Sequence, residues 1–253
     1  MIASLMMYLR PELANATHRL WDAIRQHLTD AGIRCPEQLD QQTKEISVWM
    51  DPELVLSQTC GMPYRLWLRD QVHLVGTPDY GLDDCPAGYY RSAIVVRQDD
   101  PRNQLAQFQE AVFAYNQTHS QSGYAAPHWH IHPHGNWFTN RLQTGQHRLS
   151  ALAVAENKAD IAALDAMSWQ LMQRYEPFTS RLRVLEWTDP TPGLPLITGK
   201  CNNPDVVFEA VQRGINDLEE SDRKALSLKG LVKIPISDYL AIKNPPGDYP
   251  ITG

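Results

Sequence analysis

The chain has 253 residues, 43% hydrophobic and 21% charged, an ordinary globular composition with enough apolar material for one large domain or two smaller lobes. A net charge of −6 and a pI near 5.8 exclude a general nucleic-acid binder, since phosphate backbones are held by clustered Lys and Arg and no such cluster occurs. No apolar run approaches the ~18 residues that cross a bilayer, so no membrane-spanning helix is expected.

The elements alternate. Met1 to Tyr8 reads as a first strand, with no basic start or long apolar run ahead of it. As written this predicts a cytoplasmic protein, or a periplasmic one whose signal has been removed. Glu12 to Ala31 carries Leu13, Leu20, Trp21, Ile24 and Leu28 at helical spacing, and Gly32 stops it. A strand near Leu54 to Leu56, a helix from Met62 to Arg69, and strands at Val72 to Gly76 and Tyr89 to Arg97 follow. After the turn-like Gln98-Asp99-Asp100-Pro101 come a strand near Ala111 to Tyr115, a helix from Ser122 and a helix from His147 to Asn157. The short strand Ile161 to Leu164 leads into a helix over Ala166 to Arg174. Strands at Leu182 to Trp187 and Leu194 to Thr198, then helices at Asp205 to Leu218 and Asp222 to Leu228, close the chain. Alternating β and α elements imply parallel sheets covered by helices on both faces.

Two polar stretches echo each other: Ser57-Gln58-Thr59-Cys60-Gly61 and Ser120-Gln121-Ser122-Gly123. Each follows an apolar strand and precedes a helix, and helix starts hold anions through unpaired N–H groups and a partial positive charge. Thr144-Gly145-Gln146-His147 and Asp165 are further junctions of this kind. Breaks at Gln98 to Arg102 and Trp187 to Leu194 divide the chain into residues 1–98 plus 190–253 and residues 99–189. Two crossings between such lobes make a hinge, with the polar junctions of both facing a shared cleft.

Cys35, Cys60, Cys85 and Cys201 lack paired metal or redox spacing, and Cys60 with Cys85 is a candidate disulfide in an oxidising compartment. His128, His130, His132 and His134 form a conspicuous run. On a strand all four share a face, and on a helix His128 pairs with His132. The run could bind Zn, Ni or Cu, yet a solvated helix end is the favoured reading, because no nearby Cys, Asp or Glu completes a ligand set. No metal and no cofactor is therefore expected. Cys60 as nucleophile with His147 as base is a weaker alternative, as no catalytic set is complete. Ser122 and Asp165 are equally candidates for helix N-caps, and Tyr90 and Trp169 for core aromatics.

Trp49-x-Asp51-Pro52-x-Leu54, Ser57-Gln58-Thr59-Cys60-Gly61, Gly76-Thr77-Pro78, Tyr90-Arg91-Ser92, Ser120-Gln121-Ser122-Gly123-Tyr124, Thr144-Gly145-x-His147 and Ala159-Asp160-Ile161-Ala162-Ala163-x-Asp165 occur in order along nearly the whole chain. Together they resemble the phosphate and phosphonate substrate-binding proteins of ABC importers, which are type II periplasmic binding proteins. The resemblance implies an α/β fold of two lobes, parallel-dominated mixed sheets and a two-stranded crossover hinge. It implies a monomer that captures a small oxyanion for an ABC permease and performs no catalysis. It carries Ser120, Gln121, Ser122 and Gly123 over as the oxyanion grip, with Tyr90 as a hydroxyl donor and His147 as a ligand-facing imidazole that adds a charge-assisted bond when protonated. Asp165 would accept from a ligand amine or hydroxyl, and Thr59, Cys60 and Gly61 would approach from the first lobe. The His-rich run departs from the family pattern. With the missing export signal it favours a rival, an enzyme on the same scaffold resembling thiamine pyrimidine-precursor synthases, and a third reading is a cytoplasmic ligand sensor.

Overall fold

A computed structural model describes residues 1–135 and 137–251, with the side chain of His134 outside the described set. In chain order the elements begin with β1 (Ile2–Ser4), α1 (Ala14–Asp30), α2 (Glu45–Trp49), β2 (Leu54–Gln58), α3 (Gly61–Pro63), β3 (Val72–Asp79), β4 (Tyr89–Tyr90), β5 (Ser92–Arg97) and β6 (Phe113–Tyr115). They continue with α4 (Ala126–Ile131), β7 (Arg141–Gln143), α5 (His147–Ala155), β8 (Ile161–Asp165), α6 (Ala166–Tyr175), β9 (Leu182–Trp187), β10 (Thr191–Pro192) and β11 (Leu196–Gly199). The last are α7 (Pro204–Asp217), α8 (Glu220–Ala225), β12 (Gly230–Val232) and α9 (Ile236–Ala241). π-Helical turns at Tyr64–Leu68 and Gln121–Ala125 extend α3 and lead into α4.

Two compact units result. Met1–Asp83 and Pro192–Ala241 make up most of unit 1, while Asp84–Thr191 and Ile242–Tyr249 make up unit 2. The first passage between them falls at Asp83–Asp84, ahead of the break expected at Gln98 to Arg102. The reason is that β5 pairs with both β8 and β9, which makes it an inner strand of the unit 2 sheet. Gln98 to Arg102 is instead a turn inside unit 2, where buried Asp100 takes two bonds from the Arg102 guanidinium, at 2.9 and 2.6 Å, and a third from the Arg102 backbone N–H at 2.9 Å. Ile242–Tyr249, expected in the first lobe, joins unit 2, where the Trp129 indole donates to the Lys243 carbonyl at 2.9 Å. β4 and β10 form a two-stranded ladder, and β10 is the strand in which the chain returns to unit 1.

Both sheets are mixed. Unit 1 has the order β1-β2-β11-β3-β12, and β11 runs antiparallel between β2 and β3. Unit 2 has the order β7-β6-β8-β5-β9, and β5 is the reversed strand between β8 and β9. β1 pairs parallel with β2, and β6 with β7 and β8, while β11 pairs antiparallel with β2 and β3, β12 with β3, and β5 with β8 and β9. The reversed strands are chain returns, which alternation of β and α runs does not reveal.

The two faces of each sheet are buried. In β5, Ala93 and Val95 pack beneath α5 and α6, whereas Ile94 and Val96 join Phe108, Phe113 and Phe138 on the opposite side. This period of two with apolar residues at every step is what a strand covered on both faces requires. In unit 1, Trp21, Ile24 and Leu28 of α1 pack with Val207, Val211 and Ile215 of α7 over one face of the sheet. Gly214 permits this approach, because a Cβ there would lie 2.7 Å from Ile24 Cγ1 and 2.8 Å from Ile24 N.

No disulfide joins Cys60 to Cys85, which corrects the expectation. The two cysteines belong to different units.

Candidate functional site

The site in unit 2 is built from strand ends. β6, β7 and β8 run parallel, and Tyr115 at the end of β6 lies opposite Gln143 at the end of β7. Their carboxyl-terminal edge therefore carries the loops that follow them, together with Asp165, the last residue of β8. In open α/β sheets this is the edge at which ligands bind.

Two of these loops are tied to one another through β6. Thr144 N–H donates to the Tyr115 carbonyl at 2.8 Å and Gly145 N–H to the Asn116 carbonyl at 3.0 Å, which sets the start of α5. His147 is its first residue. The other loop turns at Ser120, whose hydroxyl oxygen accepts from Gly123 N–H at 3.0 Å and caps the π-helical turn Gln121–Ala125. The Ser92 hydroxyl of β5 donates to the Ser122 carbonyl at 2.9 Å and anchors that turn to the sheet. Ser122 Oγ and His147 Nε2 then meet at 3.0 Å.

Gly123 brings its turn close to Asn116 and His147. An added Cβ would lie 2.0 Å from Asn116 Oδ1 and 3.1 Å from His147 Cε1. Asn116 Oδ1 is buried and makes no hydrogen bond. Asn116 was not singled out from the sequence. The only available signal was its position directly after a strand, which many turn residues share.

His147 is part-buried, and desolvation lowers its pKa to about 4 against a small opposing pull from the Ala163 backbone. Nδ1 is buried and makes no hydrogen bond. The imidazole is thus neutral at pH 7, and a charge-assisted bond from it needs its protonation. Asp165 is buried and caps α6, its Oδ1 accepting from Ser168 N–H at 2.8 Å. Tyr90 is buried on β4, and Gln121 and Ser122 are buried at the turn.

Thr59, Cys60 and Gly61 form a separate junction in unit 1. β1 and β2 are parallel with Ser4 opposite Ser57, so this loop also leaves a carboxyl-terminal edge. Gln58 braces it, donating to the Leu194 carbonyl at 3.0 Å and to Tyr80 Oη at 3.2 Å, while the Trp49 indole donates to the Gln58 carbonyl at 3.0 Å. Thr59 N–H donates to the Pro195 carbonyl at 3.0 Å, and Cys60 precedes the first helical residue, Gly61. A π-helical turn follows at Tyr64–Leu68, as one does at Gln121–Ala125 in unit 2. Such turns recur at functional sites. Neither was legible in the sequence.

Among the described residues no group of three or more His, Cys, Asp or Glu side chains is arranged to hold a metal ion. The run His128, His130, His132 and His134 lies on α4 and the short turn after it, not on a strand. His130 Nε2 lies 3.1 Å from Glu186 Oε2.

Two α/β units, each with a mixed five-stranded sheet and a polar loop at a carboxyl edge, have the fold of type II periplasmic binding proteins. The family model described as "ABC transporter, phosphonate, periplasmic substrate-binding protein" matches residues 60–239, more than half of the chain, and the chain belongs to that family. Among solved structures it is similar to PhnD1 from Prochlorococcus marinus in complex with methylphosphonate, at 14% identity and a TM-score of 0.74, covering 96% of this chain and 95% of that one. It is also similar to the binding protein component of an ABC phosphonate transporter (PA3383) from Pseudomonas aeruginosa, at 14% identity and a TM-score of 0.72, covering 96% of this chain and 83% of the other. A third similar structure is XAC2383 from Xanthomonas citri bound to ATP, at 17% identity and a TM-score of 0.69, covering 94% and 92%. No curated protein matches the chain. The family consists of substrate-binding proteins, so the reading as a thiamine-precursor synthase is not favoured.

Proposed function

We propose that this protein captures a small oxyanion of the phosphonate and phosphate class outside the cytoplasmic membrane and delivers it to an ABC permease. The observation that carries the reading is the convergence of the Ser120–Gly123 turn and the start of α5 at one sheet edge, closed by the Ser122–His147 contact of 3.0 Å. Ser120 Oγ accepts from Gly123 and keeps its own proton to donate. Neutral His147 acts through Ser122, because its Nε2 shares a hydrogen bond with Ser122 Oγ and so fixes where the serine hydroxyl points. Gln121 and the first amides of the turn complete a grip suited to an anion.

Asp165 and Tyr90 are proposed to meet a substituent on the phosphorus. Thr59, Cys60 and Gly61 are the proposed ligand-contacting residues of unit 1. Membership in the transporter family supports the permease partner and the extracytoplasmic location.

The test is a thermal-shift series with phosphate, phosphite and methylphosphonate. A ligand at 100 times its dissociation constant adds about 2.7 kcal/mol of stability. The double variant Ser120→Ala with Ser122→Ala is expected to lose that stabilisation, and unchanged shifts in it would overturn the site.

A further inference from the structure

We propose that Ile242–Tyr249 is a strap that limits opening of the protein, a third connection between the units that is anchored in unit 1 and seated on the helix growing from the Ser120 turn. It rests on the reading of the chain as a two-unit capture device, and adds a restraint beyond the passages at Asp83–Asp84 and Thr191–Pro192. α9 ends at Ala241 in unit 1, and the residues that follow, Ile242–Tyr249, belong to unit 2.

Both ends are held. Tyr239 of α9 is buried, its Oη donates to the Gly193 carbonyl at 3.2 Å and lies 2.5 Å from Thr77 Oγ1, and its ring meets Tyr64 edge-on at 5.8 Å. In unit 2 the tail sits on α4, which continues directly from the turn Gln121–Ala125. The Trp129 indole N–H donates to the Lys243 carbonyl at 2.9 Å, and Pro245 is buried. The tail then closes on itself, with Tyr249 Oη donating to the Pro245 carbonyl at 2.9 Å and Gly247 turning at a φ of +144°. Burial pushes the Tyr249 hydroxyl pKa up, and Tyr124 of the Ser120 turn adds to it. Pro245 and Pro246 fix φ along the segment, so little conformational freedom is lost when it docks.

The tether is short. Only Ile242 separates the end of α9 from Lys243, a reach of about 7 Å at full extension. With Tyr239 and Lys243 both held there is no slack, and any movement of the units that stretches this link has to release one end. Tyr239 is buried and hydrogen-bonded, whereas Lys243 is exposed and held by an indole bond, so the tail leaves α4 first. A docked strap therefore weights the open–closed equilibrium against opening.

The test uses ligand-free full-length protein, so its outcome does not depend on which anion the site takes. Trp129→Phe keeps an aromatic ring on α4 and removes the donor. The expected results are a larger radius of gyration in small-angle X-ray scattering and tryptic cleavage after Lys243 about fivefold faster, the loss of one net hydrogen bond. Tyr249→Phe, which opens the tail's own loop, is expected to shift both readouts in the same direction. Lys243→Gln should leave the radius of gyration unchanged, because its carbonyl and not its side chain is held. Faster cleavage with an unchanged radius of gyration in both variants would reduce the tail to a local cover and overturn the strap, as would unchanged cleavage. The Ser120 and Ser122 double variant tests the anion reading separately, and its failure leaves these outcomes standing.

Discussion

Ser122 Oγ lies 3.0 Å from His147 Nε2, and this contact joins a turn after β6 to the first residue of α5. It makes the serine hydroxyl and the imidazole one functional group whose proton placement depends on both. Several measurements test what that coupling does.

Stability should fall on acidification through His147. Its folded pKa, about 4, lies below the 6.5 of a free imidazole, so the unfolded chain binds more protons between those values. The contribution is complete above about pH 6.5 and is lost progressively toward pH 4. The thermal midpoint of the wild-type protein should therefore drop more over this range than that of His147→Gln, which cannot titrate. Parallel pH profiles would contradict the assignment.

Gly123→Ala should remove ligand binding and destabilise unit 2 by about 1–3 kcal/mol, the usual cost of overpacking. The clash is with Asn116 Oδ1 at 2.0 Å. Adding Asn116→Gly to the variant should restore a large part of the lost stability in urea unfolding. Failure of the second substitution to recover any would place the strain elsewhere.

Asp100→Ala should cost on the order of 1–3 kcal/mol, because the charge-assisted hydrogen bonds to its buried carboxylate are lost while part-exposed Arg102 keeps its bond to Asp160. Asp100 is buried, and hydrogen bonds from Arg102 hold its carboxyl at about 2. Arg102 also donates to Asp160 at 3.0 Å and lies 4.0 Å over the Phe108 ring. Because the folded pKa is depressed, this stabilisation is present above about pH 3.8 and disappears as the pH falls through about 2. Chemical denaturation at neutral pH and under acid would show both effects.

Gly214→Ala should loosen the α1–α7 packing of unit 1 while leaving the unit 2 site intact. The new methyl would meet the Ile24 backbone nitrogen at 2.8 Å, and a backbone atom cannot rotate away. The melting temperature should fall, and anion-dependent stabilisation should persist in the protein that remains folded. A neutral substitution would show that the two helices separate at little cost.

Much of the fold was legible in the order of elements. The expected helix over Glu12 to Ala31 is α1, Ala14–Asp30, preceded by a 3-10 turn, and the all-buried run at Ile161 is β8. Shorter pieces escaped: α2, β7, β12 and α9 are three to six residues long, too short for a periodic pattern to declare itself. The domain boundary at Gln98 was misplaced because a polar turn looks the same inside a unit as between units. The proposed disulfide failed for a related reason, since distance along the chain carries no information about which unit a cysteine joins.

The sequence by itself determined that this is an α/β protein with polar residues at strand-to-helix junctions, because apolar periodicity and small hydroxyl residues are local properties of neighbouring positions. Only the tertiary structure decided that Ser122 binds His147, that Asn116 fills the space Gly123 leaves, and that Ile242–Tyr249 joins unit 2. The Ser122–His147 and Asn116–Gly123 contacts join residues brought together by parallel strands ending at one edge. Their distances, and the desolvation that keeps His147 neutral, arise from packing that no local pattern encodes.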